Sequence, residues 1–207
     1  YESGALNESF SDIFGSCVEY QVKPNDFSWE LADEISVTGN ALRSLSNPNS
    51  KGHPDTYQGN LWVSGSTDNG GVHTNSGVQN YWFYLLSVGG SGVNDNGDSY
   101  NVDGIGIENA GQIAFKTLSV YLGPNSNYQE ARDYSIQSAE DLYGPCSPEV
   151  IATTNAWQAV GVGEVYNVIP SADFVASQTN ACSAPVTIEF TNLSSNSGTY
   201  SWDFGDG

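Results

Sequence analysis

The apolar residues of this chain change their period at Gly163, and that change constrains the fold more than any other feature of the sequence. Before it, apolar residues recur at helical spacing in long stretches; after it, they alternate with polar ones in short runs. "HTNSGVQNYWFYLLSVGG" predicts a helix starting near Ser76, apolar on nearly every side and therefore buried, and ending at Gly89–Gly90. "GIENAGQIAFKTLSVYLGP" predicts another, closed by Gly123 and Pro124. A third runs from about Tyr128 to Tyr143 with Ser126 or Asn127 as its cap. The last opens on Ser147, with Pro148 at the first helical position and Glu149 in the first turn. Beyond Gly163, "ADFVAS", "VTIEFTN" and "TYSWDFG" read as strands separated by Asn, Ser and Gly clusters. The expectation is a mainly α domain followed by the beginning of an all-β one, with too few strands to close a sandwich.

The amino-terminal stretch is helical as well, over residues 4–22. At 100° per residue, Glu8, Asp12, Gly15 and Glu19 share one face, and Leu6, Phe10, Ile13, Phe14 and Cys17 lie across from it. Lys23 stands four residues after Glu19, so those two are expected to pair. No cation stands three or four residues from Glu8 or Asp12. Two readings of this carboxylate pair stand side by side: solvent-facing acids, or a metal ligand with a neighbour that orients another ligand.

Charge narrows the function classes. The 207 residues carry 24 Asp and Glu against 5 Lys and Arg, a formal net charge of −19, which repels nucleic acid and anionic membranes. An acidic coat accounts for most of it, and some carboxylates are expected to gather around Ca²⁺. No apolar run is long enough to cross a bilayer. Cys17, Cys146 and Cys182 lack metal-binding spacing; Cys17 pairing with Cys146 is one of the three possible bridges and the one expected. Residues 24–71 form a long irregular segment with acids at Glu30, Asp33 and Glu34, and loops of that length are usually functional or held by an ion.

The basic side chains are few enough to consider singly. His53, in "KGHPDTYQG", reads as a surface residue. His73 follows two glycines and stands five residues after Asp68, whose carboxylate can fix the ring tautomer; the alternative is a His at a helix start with no special role. Arg43 is either half of a buried Arg–Asp pair or a fork that polarises a carbonyl. The chain has no HExxH, and its two histidines cannot replace one, so spacing alone leaves a carboxylate ligand without partners.

The motifs themselves resemble those of the thermolysin-like metallopeptidases, the M4 family. "ESGALNESFSDIFG" is similar to that family's zinc-ligand helix, with Gly4-Ala5-Leu6-Asn7-Glu8 in place of its GA-aliphatic-NE motif. The resemblance implies that Glu8 is a zinc ligand and Asp12 the acid that holds one of the zinc histidines. "DNGGVHTNSG" resembles a second family signature, which makes His73 the residue that hydrogen-bonds the tetrahedral intermediate and Asp68 its orienting acid. "LRS" places Arg43 as the substrate-carbonyl arginine and Leu42 on the wall of the primed-side specificity pocket. Glu19, Glu30 and Asp33 fall near the acids of the family's calcium site. The tail resembles the first half of a PKD domain, an immunoglobulin-like sandwich, whose characteristic string is here Trp202-Asp203-Phe204-Gly205-Asp206-Gly207.

What the resemblance implies is a helical peptidase domain over residues 1–163, a linker over 164–170 and an incomplete PKD domain over 171–207. The implied function is part of a secreted zinc endopeptidase that cuts protein or peptide substrates before hydrophobic residues. Its HExxH would lie on an N-terminal lobe outside these residues, and the isolated chain would be inactive. The rival class is a non-catalytic, calcium-stabilised binding or adhesion scaffold carrying PKD modules.

Overall fold

A computed structural model describes residues 1–37, 39–167, 171–180, 182–194, 199 and 201–203. The chain divides into two units, Tyr1–Tyr166 and Asn167–Gly207. The first contains the helices α1 (Glu2–Val22), α2 (Gly77–Val88), α3 (Ile107–Lys116), α4 (Tyr128–Tyr143) and α5 (Pro148–Ala159). A turn of π-helix, Thr117–Tyr121, extends α3.

The centre of this unit is α2, which packs against α1, α3 and α5. Its run of Val78, Trp82, Phe83, Leu85 and Leu86 is buried, as a helix apolar on nearly every side must be. Trp82 stacks on Trp157 of α5 with centroids 4.7 Å apart, a pair worth about 0.5–1.5 kcal/mol beyond its buried area. The wholly buried Tyr128 donates its hydroxyl hydrogen to the Asn75 carbonyl at 2.7 Å, which satisfies the one polar atom it brings inside.

The helix starts follow from their caps. Asn127 accepts from the Glu130 amide at 2.9 Å, and Glu130 accepts from the Asn127 amide at 3.1 Å, so Asn127 is the cap of α4. Ser126 serves the preceding turn and accepts from the Gly123 amide. Ser147 accepts from the Val150 amide with Pro148 behind it.

Three expectations about this unit are corrected. The buried residues of α1 are Ala5, Leu6, Ser9, Phe10, Asp12, Ile13 and Ser16. By the 100° rule that arc is rotated roughly 60° from the apolar stripe toward the carboxylates. The acidic face is therefore partly inside, while Val18 and Val22 remain exposed. Lys23 pairs with Glu34 at 2.5 Å in place of Glu19, because the loop after α1 folds back past the helix end. Cys17 and Cys146 are both free: the Cys17 sulfur lies against Gly111 of α3, and Cys146 is hydrogen-bonded with Tyr166. Burial raises the Cys17 thiol to about 11.

One element has no helical or alternating signal in the sequence. Residues Gly89–Val93 (β3) pair antiparallel with Ser99–Asp103 (β4), in register from Gly89↔Asp103 to Val93↔Ser99. β3 reads GGSGV, too poor in side chains to show period two. The long segment before α2 holds a shorter ladder, β1 (Glu30–Leu31) with β2 (Arg43–Ser44), and a 3-10 turn at Pro48–Lys51.

In the second unit, β5 (Phe174–Ala176) pairs antiparallel with β6 (Phe190–Asn192). Phe174, Phe190 and Trp202 form an aromatic cluster on this hairpin, yet all remain substantially exposed. Among the described residues this is a hairpin and no sandwich. Ser201–Asp203 form no strand, and Tyr200, Phe204 and Gly205 of the expected third strand lie outside the described residues. No helix of the described residues is long and apolar enough to cross a membrane.

Candidate functional site

Two pieces of backbone bring distant side chains to the carboxylate face of α1. The first is the β1–β2 ladder, closed by Leu42 N–H to the Leu31 carbonyl and Leu45 N–H to the Trp29 carbonyl, each 2.8 Å. Alternation along β2 sends Arg43 inward and leaves Leu42 63% exposed on the other side. Arg43 donates from Nη1 to Asp12 Oδ1 at 2.9 Å, and its Nη2 lies 3.5 Å from Glu8 Oε2. The arginine side chain is only 12% exposed, so this is a desolvated ion pair. The cation that α1 lacks at helical spacing arrives from thirty-odd residues away.

The second piece is the turn Asp68–Gly71, whose residues all have positive φ. Glycine is required at both of its later positions. A Cβ on Gly71 (φ +78) would sit 2.3 Å from Asn75 Nδ2, and one on Gly70 (φ +83) would sit 2.5 Å from the Tyr1 nitrogen. The turn curls the Asp68 carboxylate under the residues that follow. It accepts from the His73 and Thr74 amides at 2.9 Å each and from the Thr74 hydroxyl at 3.0 Å. The His73 ring completes the set, with Nδ1 2.6 Å from Asp68 Oδ1. Burial pushes the Asp68 carboxyl up, but these donors, led by the His73 ring, outweigh it and hold the group at about 2. The other ring nitrogen, Nε2, lies 3.9 Å from Glu8 Oε2. Arg43, held by Asp12, and His73, held by Asp68, thus converge on the Glu8 carboxylate.

Asn80 escaped the sequence reading, and the expectation that His53 lies at the surface is corrected. Asn80 of α2 is buried, accepts from the Ser9 hydroxyl at 2.7 Å and donates to Asp12 Oδ2 at 2.8 Å. Burial raises the Asp12 carboxyl; the Asn80 hydrogen bond and then the Arg43 charge oppose that push, and Glu8 adds to it. The available signal was a pair of adjacent amides, Gln79 and Asn80, in the otherwise apolar run around Trp82. His53 is half-buried beside the site. Burial lowers its imidazole, the Arg43 charge adds to the lowering, and the Asp68 charge opposes it. Its Cβ would be 2.9 Å from a Cβ on Gly77. No spacing in the sequence announces that contact.

The acids expected at calcium stand in two places. Glu19 is raised by burial and then by the nearby charges of Asp33 and Glu34, with a smaller push from Asp26. Glu30 turns elsewhere and pairs with Lys51 at 3.3 Å. Among the described residues no three His, Cys, Asp or Glu side chains gather as a metal would need. For zinc, the donor chemistry of the site fits a shared arrangement. Glu8 offers a carboxylate a third exposed, and its neighbours Arg43 and His73 are held by Asp12 and Asp68. The chain accordingly fits as the source of one ligand.

Comparison with known proteins places the chain in a family. Residues 1–162 match the family described as thermolysin metallopeptidase, alpha-helical domain. The thermostable neutral protease NprT of Geobacillus stearothermophilus is 45% identical over 164 residues, 78% of this chain and 28% of that protein. The thermolysin of Alicyclobacillus acidocaldarius is 44% identical over 164 residues, 78% of this chain and 29% of that protein. Among solved structures, the precursor of protealysin, a metalloproteinase from Serratia proteamaculans, superposes with a TM-score of 0.62 at 28% identity, over 79% of this chain and 51% of that one. The chain spans less than a third of the length of these curated relatives. It belongs to the thermolysin metallopeptidase family, whose α-helical domain its residues 1–162 form.

Proposed function

We propose that this chain is the helical half of the catalytic domain of a secreted zinc-dependent endopeptidase, which cuts proteins or peptides before hydrophobic residues. The observation that carries the reading is the convergence on Glu8, with Arg43 at 3.5 Å and His73 at 3.9 Å, each backed by its own carboxylate. In this reading Glu8 is one zinc ligand, and the remaining ligands come from a lobe of the same polypeptide outside these residues. Zinc, when bound, supplies a Lewis acid and lowers the pKa of a bound water.

The base that takes the water's proton belongs, in this reading, to the HExxH of that lobe, and this chain supplies the groups that meet the carbonyl oxygen. Asp68 accepts from Nδ1–H of His73 and so directs Nε2 toward the reacting carbonyl, where a protonated ring donates to the oxygen as it gains charge. Arg43 contributes a second fixed donor, held by Asp12 and kept largely from water. Both are oriented before substrate arrives, which is what makes such donors effective. Leu42, exposed on the outward side of β2, is proposed to meet the hydrophobic residue after the scissile bond. Asp12 is proposed to orient a zinc histidine as well as Arg43.

Two supporting features are proposed with it. Calcium held by Glu19 with Asp33, and by Glu30 if it turns from Lys51, would relieve the crowding of carboxylates after α1. The second unit is proposed to be the opening of a PKD module over 171–207, joined by a linker at 164–170. The β5–β6 hairpin and the aromatic cluster around Trp202 support that reading. With a net charge of −19, nucleic acid is not a proposed partner.

The test compares the isolated 207 residues with the full-length protein. The isolated chain is expected to bind zinc weakly and to leave a peptide substrate uncut. The full-length protein should cut it, lose activity to a zinc chelator, and lose both zinc and activity as Glu8→Gln. Chelator-sensitive hydrolysis by the isolated chain, or a full-length protein indifferent to the chelator, overturns the reading.

A further inference from the structure

The Asp12–Arg43 pair is held from a third direction, by Asn80, which lies outside the motifs that mark the site. Asp12 is 8% exposed, and Arg43 occupies only its Oδ1. Its Oδ2 receives Nδ2–H of Asn80 at 2.8 Å. A side-chain amide can present either end, so something must choose which end faces the carboxylate. Ser9, one turn from Asp12 on the same helix, makes that choice. Its hydroxyl lies 2.7 Å from Asn80 Oδ1 and donates to it, which leaves only the amide N–H to point at Asp12. Asn80 is 1% and Ser9 0% exposed, so no water can substitute for either partner.

We infer that Asn80, oriented by Ser9, is a positioning residue that fixes the Asp12 carboxylate and through it the direction of the Arg43 guanidinium. The chain of contacts runs from Ser9 through Asn80 and Asp12 to Arg43, each link a hydrogen bond of 2.9 Å or less. Replacing the Asn80 donor with an acceptor turns an attraction at Oδ2 into a repulsion, and Asp12 then rotates or takes a proton. Either way Arg43 loses its fixed partner and leans on Glu8 alone, at 3.5 Å. The positioning stands on these contacts; its catalytic consequence rests on the endopeptidase reading.

The experiment reads Arg43 directly. The chain has only two arginines, Arg43 and Arg132, so guanidinium ¹⁵N–¹H spectra of the 207-residue chain resolve them, with Arg43→Lys giving the assignment. In the wild-type chain Arg43 is expected to show a restrained guanidinium with slow hydrogen exchange. Asn80→Asp, which keeps the shape, should lose that signature while Arg132 and the backbone amide dispersion stay unchanged. Ser9→Ala should give an intermediate loss, and it serves as the second variant if Asn80→Asp does not fold. A restrained Arg43 in a folded Asn80→Asp or Ser9→Ala chain overturns the inference. In the full-length enzyme, Asn80→Asp is expected to lower kcat/KM by about 10–100-fold, with zinc content retained. An unchanged kcat/KM alongside a freed Arg43 overturns the catalytic part. A wild-type enzyme without peptidase activity would sink the endopeptidase reading and leave the spectroscopic result standing.

Discussion

The site has a buried half and an open half, and they are built by different means. Asp12, Arg43 and Asn80 come from α1, β2 and α2, and are enclosed where those elements meet. Asp68 and His73 lie five residues apart on one turn, and the His73 side chain is 54% exposed. Tertiary packing aims the first group, and backbone conformation aims the second. A fixed donor and an accessible ring therefore stand within 4 Å of the same Glu8 oxygen without sharing a mechanism of support.

The comparison can be broken most forcefully in the buried half. Asp12→Ala leaves Arg43 as an enclosed charge with only the distant Glu8. It is expected to cost about 3–5 kcal/mol, at the lower end because Glu8 remains. Urea unfolding of the chain measures this, and a loss below about 1 kcal/mol would mean the pair is not desolvated. In the open half, Gly71→Ala forces a Cβ into a left-handed position, costing about 1–2 kcal/mol. It should also displace Asn75, which binds the Val63 amide and carbonyl. A lower thermal midpoint together with a changed His73 ring signal is the expected result.

Acid separates the halves by sign. Asp68 is held at about 2, below its ordinary 3.8, so the unfolded chain takes up the proton first as pH falls. Its stabilisation is complete above roughly pH 4 and is lost between about 4 and 2. Asp12 is raised, so acid does not destabilise the fold through it. Asp68→Asn should flatten the acid limb of a stability–pH curve, and an unchanged limb would show that its contacts are weaker than drawn. The smallest expected effect is that of His73→Ala on stability, within about 1 kcal/mol, since the exposed ring supports no packing and its bond to Asp68 is open to solvent. A larger loss in chemical unfolding would place His73 among the structural residues.

How much of this was legible depends on how far apart the partners are. The helix starts at Asn127 and Ser147 were readable because a cap reaches only three residues ahead. The Asp68–His73 contact was foreseeable for the same reason, with the two glycines supplying the left-handed turn. The Asp12–Arg43 pair was open from spacing, since nothing in the sequence says which of many carboxylates a rare arginine will find. Asn80 gave no signal beyond its polarity in an apolar run, and β3 gave none because glycine has no side chain to alternate. The Cys17–Cys146 bridge failed where the sequence could offer only a count.

By itself, the sequence determined the helices, their ends, the change of architecture near Gly163 and the turn that orients His73, because all of these rest on neighbours within a few residues. Only the tertiary structure decided which face of α1 is buried, that Lys23 pairs with Glu34, and that Arg43, Asn80 and Ser9 lock Asp12. Those outcomes depend on which elements meet in space, and packing settles that by burying Trp82, Phe83 and Trp157 together, leaving the polar partners to match wherever the helices then lie.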